Sequence, residues 1–545
     1  MREFVLDREA RAGADEPAAV ADSVSLDDGL AWADGRRART SRRSWLDTFD
    51  WRLYRAGLTL EQAACRGRAE LLLTGRDGQL LASEVLAAGR EPHWPSLVSE
   101  LPAGPLRELV EPVAGVRALC PVLRASSKVT QLQALNDDAK TVARLDIDRM
   151  SVTFPARASA PARLTLTPVR GYAGVTDRIG AAITATPGIS PARGSALETA
   201  LAVAGLRAGD LPGKATAVRL TPSMPAAAAI ATILTALLDV LEANVPGTIR
   251  DIDTEFLHDL RIAVRRTRSV IKLCGRALPA GLARDFRAEF RWLGDLTTPT
   301  RDLDVYLLGY DRMTAGLVAA SPADLRPFHD YLVRSRAAQY RRLTAGLRSA
   351  RFTRLATSWR AALEDIRPAR KRPTVAQLAA ARIGVAQRRA MQSGQLITAT
   401  SPSESLHELR KRCKELRYLV EMFGSLHDPA ERWQAVRELK ALQDCLGAFQ
   451  DAEVQRTKIR GFAGQLLAER SAPAETLLAM GEIAAGLAVA QREARREFDS
   501  RFADFASPQS QARLAVLTGE GPTRDRPIRT DGLTRTDGLT GTASA

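Results

Sequence analysis

Apolar residues fall in two different rhythms along this 545-residue chain. Up to about residue 215 they come in short β-favouring runs, such as Ala69 to Thr74 and Ala162 to Val169, punctuated by Gly and Pro. That pattern predicts a mixed, strand-rich domain. The stretch 186–225, with Pro212-Gly213 and Pro222, reads as a short helix pair or linker and marks a boundary. From Ala226 onward apolar residues recur at spacings of three and four, as in Ile230, Ile233, Leu237, Leu238 and Leu241, so everything to about residue 505 reads as helix. The tail from Pro508 lacks this periodicity and carries RTDGLT twice, at Arg529 to Thr534 and Arg535 to Thr540, and is read as disordered.

The helical part contains a repeat. HDLRIAVRRTRSVIKLC begins at His258 and HELRKRCKELRYLVEMF at His407, an offset of 149 residues. The same offset lays RWLGDLTTPTRDLDV, from Arg291, over KALQDCLGAFQDAEV, from Lys440. Leu293 then falls on Leu442, Asp295 on Asp444, Asp302 on Asp451, Asp304 on Glu453 and Val305 on Val454. Two separated blocks sharing one ungapped offset point to an internal duplication. The expected organisation is α+β and multidomain: a strand-rich domain and linker at 1–215, a helical domain at 220–505 with halves of about 220–370 and 371–505, and a tail at 506–545.

At 100° per residue, His258, Arg261, Arg265, Arg268 and Lys272 share an arc of roughly 80° on one helix. Leu260, Ala263, Val264, Thr267, Val270 and Ile271 fall opposite, where they would seat the helix in a bundle core. His407, Arg410, Lys414 and Arg417 form the equivalent column in the second copy, with Leu409, Cys413, Leu416, Leu419, Val420 and Phe423 opposite; Arg412 breaks that apolar face. Like charges at this spacing repel. A column built twice, with His at the same end, therefore points to a bound anion. The competing reading is a solvated basic face, or arginines consumed by Asp295, Asp302, Asp444 and Asp451. Those acids would serve an anion site as supports, because a carboxylate that accepts from a guanidinium fixes its fork before phosphate arrives. Metal ligation by the same acids is the alternative, and none of them has calcium-loop spacing.

Charge sharpens this picture. Lys plus Arg number 78 against 63 Asp plus Glu, a formal net charge of +15, so acidic partners are favoured: nucleic acid, anionic lipid or polyphosphate. Arginine dominates, and its planar fork suits phosphate oxygens, although a generally Arg-rich composition gives the same bias. Aromatics are only 5% of the chain and the columns contain none, so no stacking platform for single-stranded nucleic acid is visible. A second basic stretch runs from Arg334 to Arg372 and includes Arg341, Arg342, Arg348, Arg351, Arg354, Arg360 and Arg370; it reads either as an extension of the anion track or as an ordinary solvated face. Cys65, Cys120, Cys274, Cys413 and Cys445 are scattered, without CxxC or metal-ligand spacing, and read as reduced thiols. His93, His329 and His427 stand alone. P-loop, GxSxG and HExxH patterns are absent, which removes support for those chemistries. The N-terminus lacks a signal-peptide pattern and no run of 18 apolar residues occurs, so the expectation is a cytoplasmic chain without membrane insertion.

His258-x-x-Arg261-x-x-x-Arg265-x-x-Arg268, the Arg301-Asp302-Leu303-Asp304 block, His407-x-x-Arg410-x-x-x-Lys414-x-x-Arg417 and the Leu442-Gln443-Asp444 block, in this order, resemble the CHAD family, named for histidines in an α-helical domain. The resemblance covers about 220–505. It implies an all-α domain of two pseudo-twofold-related four-helix bundles, basic columns lining a central channel, affinity for inorganic polyphosphate, and association with polyphosphate granules. Gln450 stands where the first copy has Arg301. No cofactor is implied; a divalent cation would arrive only with the polyphosphate.

Proteins of that family often carry an N-terminal CYTH domain, a triphosphate tunnel of antiparallel strands, and residues 1 to about 170 resemble one. The carriers are the segment from Trp45 to Leu58, similar to the family's strand-turn-strand signature, and Arg163 to Thr167, similar to a later tunnel strand. The family's opening ExExK pattern supplies metal-binding carboxylates and a phosphate-binding lysine. Here the stretch from Glu3 reads Glu-Phe-Val-Leu-Asp, and Glu61 and Gln62 follow Leu60 where an Arg-containing strand is expected. The resemblance thus implies a degenerate tunnel with Glu3, Arg52 and Arg55 as candidates for residual anion contact, and no catalytic residue is assigned. The primary expectation is polyphosphate binding by the columns. Hydrolysis of triphosphate or polyphosphate by the tunnel, and nucleic-acid binding, are the alternatives.

Overall fold

The computed structural model describes residues 2–6, 16–35, 38–87, 92–210, 218–367 and 373–518. Pro212-Gly213, Arg370, Arg372 and the two RTDGLT segments lie outside the described residues.

The N-terminal part is one antiparallel sheet. Its strands are β1 (Arg2–Leu6), β2 (Leu30–Asp34), β3 (Arg39–Thr48), β4 (Leu58–Cys65), β5 (Arg68–Gly75), β6 (Leu80–Leu86), β7 (Ser96–Leu97), β8 (Ala118–Asn136), β9 (Thr141–Phe154), β10 (Ala158–Ser159), β11 (Arg163–Pro168) and β12 (Ile189–Pro191). They lie in the order β12-β1-β11-β9-β8-β3-β4-β5-β6, with β10 on β9 and both β2 and β7 on β8. Alternation places the core. In β5, Ala69, Leu71 and Leu73 are buried while Glu70 and Leu72 between them are only half so, as expected for a strand with one covered face. Helices α1 (Pro17–Ser23), α2 (Arg52–Arg55), α3 (Pro105–Ala114), α4 (Ala173–Ala185) and α5 (Ala196–Val203) cover the sheet. Leu106, Val110 and Ala114 of α3 pack with the β5 residues, and Leu197, Ala200 and Leu201 of α5 pack with Trp45, Leu123 and Val152.

The Trp45–Leu58 segment is more than a turn between strands. Trp51 takes a left-handed conformation (φ 57°) and α2 follows it before β4 begins. The buried carboxylate of Asp47 holds this corner by accepting the amides of Thr48, Leu53 and Tyr54. Burial nevertheless pushes its carboxyl up to about 6.

The remaining elements are helices α6 (Ala226–Ile249), α7 (Thr254–Cys274), α8 (Leu282–Leu308), α9 (Tyr310–Ala315), α10 (Arg326–Leu347), α11 (Ala350–Glu364), α12 (Val375–Gln395), α13 (Ser403–Met422), α14 (Pro429–Ala468), α15 (Ala474–Ala506) and α16 (Pro508–Leu517). In α7 the apolar stripe Leu260, Ala263, Val264, Val270 and Ile271 is buried, and α13 buries Leu409, Cys413, Leu416, Leu419 and Val420. α7 packs along α8 and α8 along α10; α13 packs along α12 and α14. α6 is long and apolar enough to cross a membrane, and 61% of its most apolar window is buried inside the protein.

The chain divides into two compact units. One comprises Met1–Val218, Ile230–Arg367 and Glu469–Ala479, the other Arg219–Ala229, Pro368–Ala468 and Met480–Ala545. The strand-rich domain thus forms one unit with the first helical repeat. The tail also departs from expectation at its start: Pro508–Leu517 is helical rather than disordered. Ser507 caps α16 on the Ser510 amide, Leu514 and Leu517 are buried, and Arg513 pairs with Glu438. Ten residues with a short apolar stripe are too few to announce a helix by periodicity alone.

Leu260 and Leu409, equivalent in the repeat, have no exposed surface. Truncating either to Ala removes buried methyl groups and leaves a cavity, so each variant should lose about 2–5 kcal/mol in urea unfolding.

Two basic helix faces as the candidate functional site

Each column begins where its helix is capped or turned and runs along the face opposite the buried stripe. Asp253 caps α7, its carboxylate accepting the amides of Glu255 and Phe256. His258 and Arg261 are half-buried against α8, whereas Arg265, Arg268 and Lys272 are exposed. Nη1 of Arg261 donates to the hydroxyl of Thr298 at 2.6 Å. Asp302 favours its charge, although burial dominates and lowers its pKa from the ordinary value. The Arg268 guanidinium lies over Gly294, where a Cβ would come within 2.6 Å of Nη1, so glycine is what leaves room for it.

In the second column, Nδ1 of His407 is 2.7 Å from Oε1 of Gln450, and Nη2 of Arg410 donates to Asp451 at 2.9 Å. Arg410 lies over Gly447, and Arg417 pairs with Glu421 at 3.5 Å. Lys414 is half-buried. Arg412, which interrupts the apolar face, is paired with Glu408 on its own helix at 3.3 Å.

The offset of the duplication survives in these contacts. Arg261 faces Thr298 and Asp302; Arg410 faces Gly447 and Asp451, the residues at equivalent positions. The histidines differ. His407 meets the neutral amide of Gln450, while His258 has Arg301 for a neighbour. Arg301 donates to the Thr254 carbonyl and lies 3.9 Å from Glu255. Burial first, and the Arg301 charge second, hold His258 below the usual histidine range, with Glu255 acting in the opposite sense.

Of the four expected supporting carboxylates, the structure brings Asp302 and Asp451 to the columns. Asp295 and Asp444 are exposed and, among the described residues, make no hydrogen bond or ion pair with a column cation. Both lie one helical face away from the residues that meet α7 and α13. Sequence reasoning missed the residues that seat the column arginines, and a separate basic groove that no column residue lines. Thr298, Gly294 and Gly447 shape the seats of the arginines. Arg284, Arg287 and Arg291 of α8, with Trp292, Asp295 and Leu296, line an open groove of about 480 Å³. Their spacing of three and four is the signal that could have found them.

The Arg334–Arg372 stretch is largely engaged within the protein. Arg336 binds Asp251 and Asp304, Arg351 binds Glu289 and covers the Trp292 ring, and Arg360 binds Asp239 and Glu242. Arg341, Arg342, Arg348 and Arg354 are exposed. In the sheet, Glu3 accepts from Arg163, and Arg52 reaches Asp50, Glu255 and the Ala114 carbonyl. Arg43 is held by Glu61, at 2.5 and 2.7 Å, and by Asp148 at 3.1 Å. Arg55 is exposed. Among the described residues no group of three or more His, Cys, Asp or Glu side chains is placed to hold a metal ion.

Residues 232–460 match the CHAD domain family, and the chain carries a CHAD domain there. Two solved structures show similarity. The CHAD domain from the plant Ricinus communis is 20% identical, with 56% of this chain and 96% of that chain covered at a TM-score of 0.40. PptA from Streptomyces chartreusis is 16% identical, with 51% of this chain and 99% of that one covered at a TM-score of 0.41. No curated protein matches the chain.

Replacing Arg301 by Gln gives His258 the neighbour that His407 has. Removing the cation also leaves Glu255 less compensated, and both changes favour imidazolium. The His258 titration midpoint, followed by NMR, should start below the ordinary value of about 6.5 in the wild type and rise in Arg301→Gln.

Proposed function

We propose that the two columns bind a linear polyanion, inorganic polyphosphate. The observation that carries this reading is the duplication of the arginine's surroundings: Arg261 meets Thr298 and Asp302 of the neighbouring helix, and Arg410 meets Gly447 and Asp451 at the same offset. Seated arginines lose less side-chain freedom when an oxyanion arrives, so more of each contact is expressed as affinity. Each charge-assisted hydrogen bond contributes about 1.5–3 kcal/mol, and counterion release makes the binding steeply salt-dependent. The CHAD assignment of residues 232–460 agrees with this chemistry.

Burial first, and the Arg301 charge second, lower the pKa of His258 in the free protein. An anion beside it works in the other direction and raises its pKa. Binding would therefore take up a proton, and affinity would fall as pH rises through the bound-state value.

Hydrolysis by the N-terminal domain draws less support. In a degenerate CYTH-like tunnel, Glu3 is engaged by Arg163, and Glu61 occupies the strand position where an arginine would serve phosphate and instead neutralises Arg43. No cofactor enters the proposal; a divalent cation would come bound to the polyphosphate.

Polyphosphate binding measured at two salt concentrations, for wild type and for Arg261→Ala/Arg265→Ala/Arg410→Ala/Lys414→Ala with unchanged circular dichroism, tests the proposal. The variant should bind roughly a hundredfold more weakly or worse, and its salt slope should flatten. Unchanged affinity would move the site elsewhere, and displacement of polyphosphate by RNA at matched salt would favour nucleic acid.

A further inference from the structure

The first turn of α7, which carries His258, is gripped from the strand-rich domain. Gly115, at φ 60°, ends α3 and turns the chain toward β8, placing Arg117 just before that strand. The Arg117 side chain has no exposed surface. Its Nη1 donates to Asp253, the cap of α7, at 3.2 Å; Nη2 donates to Asp259, one residue beyond His258; and Nε lies 3.7 Å from Asp50. The amide of Ala118 donates to the second oxygen of Asp253 at 3.0 Å. Around this centre the Arg117 guanidinium covers the Phe256 ring, Phe49 packs on Phe256 with ring centroids 4.7 Å apart, and Arg52 approaches Glu255 at 3.4 Å.

The second repeat lacks the residues that would accept such a grip. At the 149-residue offset, Pro402 replaces Asp253, Ser405 replaces Phe256, and Glu408 replaces Asp259. Pro402 offers no side-chain cap, and Glu408 is exposed and paired with Lys411 and Arg412 of its own helix. The buried aspartates of the first copy are therefore specific to its partnership with the strand-rich domain.

We propose that Arg117 is the positioning residue of the first basic column, fixing the height and rotation of the α7 start so that His258 and Arg261 are presented only while the strand-rich domain is docked on that turn. This rests on the reading of the column as an anion site. Two aspartates six residues apart, held by one planar fork, fix helix rotation as well as position. A helix end held only by its own cap would fray. The second column lacks the buried aspartates that accept this grip, so the two copies of the duplication differ in how the helix start is held.

The test uses the full chain with the second column disabled by Arg410→Ala/Lys414→Ala, comparing Arg117→Met and Arg117→Lys, and adding Arg52→Ala as a milder loosening of the same turn should Arg117→Met not fold. Amide exchange and the His258 NMR titration are read without ligand. Amides of 254–260 should exchange roughly tenfold faster in Arg117→Met, while those of 265–274 stay protected. The His258 midpoint should rise as the nearby cation is lost, with Lys restoring part of both effects. Groups facing His258 that are left in place are Glu255, Arg265 and Arg301. Polyphosphate affinity of the remaining column should fall roughly fivefold or more. Wild-type exchange and titration in a folded loosened variant would overturn the proposal, as would faster exchange with unchanged polyphosphate affinity. If the wild-type chain itself does not bind polyphosphate, the functional reading fails, and the ligand-free exchange and titration still decide whether Arg117 positions the turn.

Discussion

Arg117 sits where water does not reach, and a guanidinium in such a place is tolerable only if carboxylates and hydrogen bonds replace its hydration. Asp50 comes from the turn between β3 and α2, Asp253 is the cap of α7 and Asp259 lies within that helix, so no single element satisfies the cation. The ion pairs cannot be kept if the two parts separate, because separation leaves charges half-compensated in apolar surroundings. That is why the strand-rich domain and the first helical repeat form one compact unit instead of two beads on a linker. Burial is felt at Asp253, whose carboxyl is pushed up even though Arg117 and three backbone amides favour its charge.

A second constraint shapes the columns. Cations stacked on one helix face repel, and the repulsion grows as they lose solvent. Both repeats meet this in the same way. The cations nearest the histidine end are half-buried and given an oxygen partner, Thr298 and Asp302 for Arg261 and Asp451 for Arg410. In the first repeat the cations further along, from Arg265 to Lys272, remain exposed, where water screens them. The buried stripe on the opposite face supplies the apolar burial that holds the helix in place while its charged face stays available.

The sheet has resolved its own charges differently. Arg43 is closed off by Glu61 and Asp148, and Arg163 by Glu3 and the Gly194 carbonyl. Among the described residues, Arg43 makes three charge-assisted hydrogen bonds to two carboxylates, whereas Arg410 of the second column makes one. The charges of Arg43 and Arg163 are thus neutralised within the sheet, whereas Arg265, Arg268 and Lys272 are exposed on α7.

The sequence by itself determined the change from period-two to helical patterning near residue 226, the duplication at 149 residues, the buried stripes opposite the columns, and the identities of the column residues. Each of these is written in residue spacing along one element, and local geometry converts spacing into a face. The helix at Pro508–Leu517 escaped because its stripe is short. Only the tertiary structure decided which carboxylates reach the columns: Asp302 and Asp451 do, Asp295 and Asp444 do not, although all four share the repeat offset. It alone set Arg301 beside His258 and Gln450 beside His407, and it alone joined Arg117 to aspartates more than a hundred residues away. Those contacts depend on how elements pack, and a lone arginine between a glycine turn and a strand carries no local pattern that names its partners.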